Sequence, residues 1–175
     1  FRIHGEGQLS LTKFLLLTDS SAGIDLKDFR ATLTHILERT TPETDLFVFP
    51  NLSMDTLDYA TPTINRGSKG VWMGVGPKRR ELPRDFTGAP SPLVSAVHVF
   101  SPGCLVVGTA PYGGDQASEA AVIARIAADP AFAAWPLVVV SDEPARAARS
   151  AINFLWTTFT RFEPARDIHG AKQNV

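Results

Sequence analysis

Cysteine is nearly absent from this sequence: Cys104 is the single one in 175 residues. One thiol cannot close an internal disulfide, and no Cys/His cluster at zinc spacing accompanies it, so a reducing compartment, the cytoplasm, is the expectation. Long apolar runs are missing too. Phe14 to Leu17 and Leu137 to Val140 have strand length, far short of the roughly 18 residues that a membrane-spanning helix requires. Excess charge of either sign is equally lacking. With 17 Lys plus Arg against 18 Asp plus Glu, nothing draws the chain as a whole to nucleic acid or to an acidic membrane. The histidines, His4, His35, His98 and His169, are scattered, and no pair has the i, i+4 spacing of a metalloprotease helix. An initiator Met is absent as well, and the last element has no recognisable stop, so a piece of a longer protein is expected.

What is present can build a core. The chain is 44% hydrophobic and 20% charged, which excludes intrinsic disorder and fits one domain or two small ones. Lys13 to Thr18 reads as a buried strand closed by Asp19, Ser20, Ser21 and Gly23. Asp25 is the expected N-cap of a helix whose apolar stripe is Leu26, Phe29, Leu33, Ile36 and Leu37. Asp45 to Phe49 follows as a second strand, giving the strand, helix, strand order of a parallel crossover unit. Val71 to Val75 is a short apolar stretch, and Gly76 to Pro92 an irregular connection rich in Pro, Gly and mixed charge. Beyond it, Val94 to Phe100 and Cys104 to Thr109 read as strands, Asp115 as the cap of an Ala-rich helix, and Leu137 to Val140 as a strand. Pro144 opens a last helix with Ile152, Leu155, Trp156 and Phe159 as its stripe.

The halves resemble each other. Strand 14–18 with Asp19 recurs as 137–141 with Asp142. After each long helix comes Arg-x-x-Pro-x-x-Asp-(Leu/Ile): Arg39, Pro42, Asp45 and Leu46, then Arg161, Pro164, Asp167 and Ile168 at one constant offset. The offset is longer than that of solenoid repeats. The expected architecture is therefore α/β, a three-layer sandwich with a mostly parallel sheet. It comprises a first unit over 1–76, a connection over 77–92 and a related, truncated unit over 93–175.

Candidate chemistry is sparse. Thr109 to Asp115 lies between a strand and a helix, where a glycine loop can offer N–H groups to phosphate, but it has neither the P-loop Lys nor the dinucleotide glycine spacing; a turn with an Asp cap is the simpler reading. Gly5-Glu6-Gly7 is too short to interpret. Cys104 starts an apolar strand, as a small buried hydrophobe does. Lys78, Arg79, Arg80 and Arg84 are interrupted by Glu81 and Asp85 and read as a solvated loop. The aromatic C-terminal segment, with Trp135, Phe154, Trp156, Phe159 and Phe162, suits a core or a subunit interface. In Gly67-Ser68-Lys69-Gly70 an ammonium could reach a phosphate, although spacing alone favours a surface turn.

Together, Leu11-Thr12-Lys13-Phe14, Leu57-Asp58-Tyr59-Ala60-Thr61-Pro62 and Gly67-Ser68-Lys69 resemble the C-terminal domain of the UbiD family of decarboxylases. The tail, Phe154 to Ala165 with Asp167-Ile168-His169, is similar to the end of longer members. The resemblance implies a non-oxidative carboxy-lyase acting on aromatic or α,β-unsaturated acids with prenylated FMN, in the setting of ubiquinone biosynthesis. It also implies a homo-oligomer whose preceding, flavin-binding domain holds the catalytic Glu-Arg-Glu set, the divalent metal and potassium. None of that set is in this chain, which should be silent alone, covering the active site and carrying oligomer contacts. Lys69, with Ser68 and Gly67, resembles a family position that approaches the flavin phosphate. Where short members carry Asp-Ala-Thr, this chain has Met73, Gly74 and Val75, which implies a more apolar pocket; a non-catalytic α/β self-association module is the alternative.

Overall fold

The computed structural model describes His4 and residues 7–170. Among the described residues, six strands form two separate three-stranded sheets: β1 (Phe14–Thr18), β2 (Leu46–Ser53) and β3 (Arg66–Gly74) in the order β1-β3-β2, and β4 (Ala96–Ser101), β5 (Cys104–Gly108) and β6 (Leu137–Ser141) in the order β4-β5-β6. Each sheet is mixed. β3 runs parallel to β1 and antiparallel to β2, and β5 runs parallel to β6 and antiparallel to β4. The expected mostly parallel sheet is thus replaced by two small mixed ones. In the first half β3 inserts between β1 and β2 and reverses the direction of β2, so the chain from Lys13 to Phe49 is not a parallel crossover. The parallel crossover lies in the second half, where β5, helix α3 (Gln116–Ala127) and β6 follow one another.

Helix α1 (Phe29–Arg39) starts later than the stripe implied. Asp28, not Asp25, is its N-cap and accepts a hydrogen bond from the Ala31 N–H at 3.0 Å; Asp25 instead closes the turn before it by accepting from the Lys27 N–H. Leu26 is consequently exposed. Asp115 caps α3 as expected. The last helix is divided in two, α4 (Pro144–Arg149) and α5 (Ala151–Phe159), because Ser150 takes an extended conformation and its hydroxyl recaps the chain by accepting from the Asn153 N–H. The break turns part of the expected stripe outward: Ile152 and Trp156 are 79% and 64% exposed, whereas Phe154 and Thr157 are buried and Phe159 packs against the core.

The recurring Arg-x-x-Pro-x-x-Asp segment is one turn built twice, α2 (Pro42–Asp45) and α6 (Pro164–Asp167). Pro opens each turn, where its missing N–H costs nothing. The residue before Pro donates its N–H to the Asp carboxylate at 2.7 Å, Thr41 to Asp45 and Glu163 to Asp167. The residue after Asp, Leu46 or Ile168, donates back to the Pro carbonyl.

A shared core fills the space between helices and both sheets: Leu33, Ile36 and Leu37 of α1, Trp72 of β3, Phe100, Cys104 and Val106 of the second sheet, Ala147 of α4 and Phe154 of α5. Phe100 and Phe154 stack at 3.9 Å between ring centroids, and Arg30 lies over Phe100. Gly74 is required by this packing, since a Cβ there would sit 2.5 Å from the Ile36 Cα. A second core, Leu105, Val107, Ile126, Phe132 and Trp135, lies on the other face of the second sheet beneath α3.

Candidate functional site

Lys69 is not in a turn. It lies within the central strand β3, paired with Phe49 of β2, because the ladder begins at Arg66 and takes in the Gly-Ser-Lys segment. Alternation along β3 then sorts the site residues. Ser68, Gly70, Trp72 and Gly74 face the shared core side, where the Ser68 hydroxyl accepts the Ala165 N–H of α6 at 2.7 Å and a Cβ on Gly70 would meet the Phe14 ring. Lys69, Val71 and Met73 face the opposite way. Gly67 is half-buried, and a Cβ on it would sit 2.6 Å from the Thr61 methyl. The structure therefore separates Lys69 from the Ser68 side chain, and packing accounts for both flanking glycines.

Lys69 is 1% exposed, yet no carboxylate pairs with it among the described residues. Its ammonium donates to the carbonyls of Ser10 and His4, the latter at 3.2 Å. Burial holds its pKa below the ordinary lysine range. Beside it is a cavity of about 220 Å³ lined by His4, Ser10, Leu11, Leu52, Ser53, Met54 and Lys69. Two carbonyls satisfy two of the three ammonium N–H groups without neutralising the charge, so the site favours an anion.

Leu15, Leu17 and Phe47 share the Lys69 face with Val71 and Met73, by strand alternation and the register Leu15–Val71, Leu17–Met73 and Phe47–Val71. None of the five belongs to either core. Val75, just beyond the strand, is exposed.

Lys13 carries weight that spacing alone did not reveal. Its ammonium pairs with Asp58 at 2.9 Å and donates to the carbonyls of Phe159 and Phe162 at 3.1 and 3.0 Å. Phe159 and Phe162 in turn pack on the ring of Phe14. Three separate segments that carry the family resemblance thus meet at one amine, and the visible signal was their joint occurrence.

Other candidates resolve simply. The mouth of the Thr109 to Asp115 loop is a cavity of about 330 Å³, but Asp115 accepts from the Ala117 and Ser118 N–H groups, and Glu119 adds a second acidic side chain to the lining. Anion binding is disfavoured there. Cys104 is fully buried and burial pushes its thiol pKa up, leaving it inert. Lys78 pairs with Glu38 and Glu81, Arg79 with Asp45, and Arg80 donates to the Thr40 carbonyl, so Lys78 and Arg79 of the basic cluster are neutralised locally. Of the Gly5-Glu6-Gly7 segment, Gly5 and Glu6 lie outside the described residues. Among those described, no group of three or more His, Cys, Asp or Glu could hold a metal, and no helix is long and apolar enough to cross a membrane.

Residues 1–74 match the family model of the 3-octaprenyl-4-hydroxybenzoate carboxy-lyase C-terminal domain, which identifies that segment as a UbiD-type C-terminal domain. The chain is 42% identical over 168 residues to a Chlamydia pneumoniae protein named as a subunit of 4-hydroxybenzoate decarboxylase, covering 96% of this chain and 27% of that one. An uncharacterized protein of Chlamydia caviae is 43% identical over 174 residues, 99% of this chain and 28% of that relative. An uncharacterized Aeropyrum pernix protein is 36% identical over 84 residues, 48% of this chain and 16% of its own length. The chain thus spans little more than a quarter of the chlamydial relatives' length.

Proposed function

We propose that this chain is the C-terminal, active-site-covering part of a prenylated-FMN-dependent, non-oxidative decarboxylase of aromatic acids, and that it is silent by itself. The observation that carries the reading is Lys69: a buried ammonium without a carboxylate partner among the described residues, on a sheet face left out of both cores. The site fits the phosphate end of such a cofactor. Its cavity of about 220 Å³ is smaller than the roughly 300–1,000 Å³ of pockets that enclose a whole small ligand, so a flavin ring would belong to a neighbouring surface. When bound, the prenylated flavin supplies the electron-accepting centre for loss of carbon dioxide. This chain's residues bind and exclude: Lys69 holds the phosphate, while Leu15, Leu17, Phe47, Val71 and Met73 keep water from the covered side. Gly67 and Ser68 fix the strand that aims Lys69. The family description and the chlamydial relative's name share a 4-hydroxybenzoate core, which supports that skeleton for the substrate.

The test is Lys69→Ala in the full-length protein. A charge-assisted contact is worth roughly 1.5–3 kcal/mol, so flavin affinity should fall about tenfold to a hundredfold and carbon dioxide release with it. Unchanged flavin content and activity would remove Lys69 from the site. A second reading, a self-association module, is favoured by Ile152 and Trp156, exposed one turn apart on α5. It gains if the full-length protein reconstituted with prenylated FMN neither binds the flavin nor releases carbon dioxide.

A further inference from the structure

The cavity beside Lys69 has a second polar wall. His4 is 8% exposed, and neither of its ring nitrogens has a hydrogen-bond partner in the structure. The backbone of Gly70 lies near enough to favour a ring proton, but outside hydrogen-bond geometry. A buried imidazole left without partners is costly, and the cost is recovered when a ligand supplies them. Lys69 stands in the same wall, and its two carbonyl bonds leave one N–H group without a partner among the described residues. Ser10 does not compete for an anion, since its hydroxyl donates to the Gly7 carbonyl at 2.6 Å.

We propose that the His4 ring and the Lys69 ammonium hold one phosphate group between them in the cavity they line. The inference rests on the reading of Lys69 above and adds His4, which nothing in the sequence motifs singled out. A neutral imidazole keeps one N–H to donate, so His4 acts without being protonated. The lysine supplies the charge and the histidine the direction.

Inorganic phosphate, titrated calorimetrically into the full-length flavin-free protein, is the probe. His4→Leu should weaken phosphate about tenfold to a hundredfold, as loss of a hydrogen bond to a charged group does, while His4→Gln, which keeps an N–H donor, should bind within about threefold of the parent. A parallel comparison of FMN with riboflavin should show His4→Leu losing affinity for the phosphorylated flavin alone. If His4→Leu is unstable, the parent itself answers: its His4 ring nitrogen resonances should move on phosphate addition. Parent-like phosphate binding by His4→Leu, or unmoved His4 resonances at saturation, overturns the proposal. Displacement of phosphate by 4-hydroxybenzoate with the same His4 dependence would make the occupant a substrate carboxylate and overturn it too. The two readings fail separately: weakened binding in Lys69→Ala with intact binding in His4→Leu sinks His4 alone, and the converse sinks Lys69.

Discussion

The two sheets have the same strand arrangement, a central strand with a parallel neighbour on one side and an antiparallel one on the other, and they differ in what lies on them. In β6, Leu137 and Val139 pack against the shared core, while Val138 and Val140 pack beneath α3 in the second core. In β1, the matching strand of the internal repeat, Phe14 and Leu16 pack against the shared core, but Leu15 and Leu17 join no core. The first sheet has no counterpart of α3 among the described residues. The face that one half closes with its own helix the other half presents outward, and Lys69 sits on that face. The second sheet is thus packed on both faces within the chain, whereas the first has one face that joins neither core among the described residues.

The largest test of this contrast concerns what ties the open sheet down. Lys13 and Asp58 form a pair whose side chains are 13% and 8% exposed, and Asp58 Oδ1 also accepts the Ala60 N–H. Removing the amine leaves a buried carboxylate and the Phe159 and Phe162 carbonyls without their donor. Lys13→Ala should therefore cost about 3–5 kcal/mol in denaturant unfolding, and Lys13→Met with Asp58→Asn distinctly less. Equal losses in both variants would mean that the pair is not the tie.

Next in size is a direct comparison of faces. Leu105 is fully buried in the second sheet, so Leu105→Ala should destabilise by about 2–5 kcal/mol. Leu17 is only half-buried, and Leu17→Ala in the 175-residue chain should cost under about 1 kcal/mol. In the full-length protein the second number should rise toward the first if the face is covered there. Should Leu17→Ala cost the same in both, the outward face of the first sheet is a solvent face and the contrast loses its meaning.

Much of this contrast was legible in the sequence, and the gaps have physical causes. Apolar runs placed β1, β5 and β6 almost to the residue, and Asp115 marked the start of α3, since these signals are local. The repeated Pro and Asp marked a turn whose hydrogen bonds close within a few residues. Strand direction was misread because it depends on where β3 inserts, which no local pattern records. β3 itself was clipped because Gly67, Lys69 and Gly70 look like a turn; the two glycines stand in the strand because Thr61 and Met54 pack where a Gly67 side chain would be and Phe14 where a Gly70 side chain would be. Lys69's burial and His4's presence beside it are long-range facts as well. β2 runs past the expected end at Phe49 and through Pro50, because it is an edge strand whose register shifts between Phe49 and Leu52, where a missing N–H is tolerated.

The smallest expected effect locates acid sensitivity in the first sheet. His4 and His35 both stand against β3, near the backbones of Gly70 and Gly74. Burial, and then the nearby Lys69 or Arg39 charge, lowers each pKa below the ordinary histidine value of about 6.5. A lowered folded-state pKa means that the unfolded chain takes up the proton first. Stability is then full above about pH 6.5 and is lost as pH falls through the lowered folded-state values. The unfolding midpoint should be level from pH 7 to 8 and decline below about 6.5, with His35→Gln removing part of the slope. Phosphate bound beside His4 would offset the Lys69 charge, bring the folded-state pKa of His4 nearer its unfolded value and make the decline shallower, with its onset unchanged. A midpoint that falls equally in parent and His35→Gln, with or without phosphate, would assign the acid response to the second sheet and reverse the comparison.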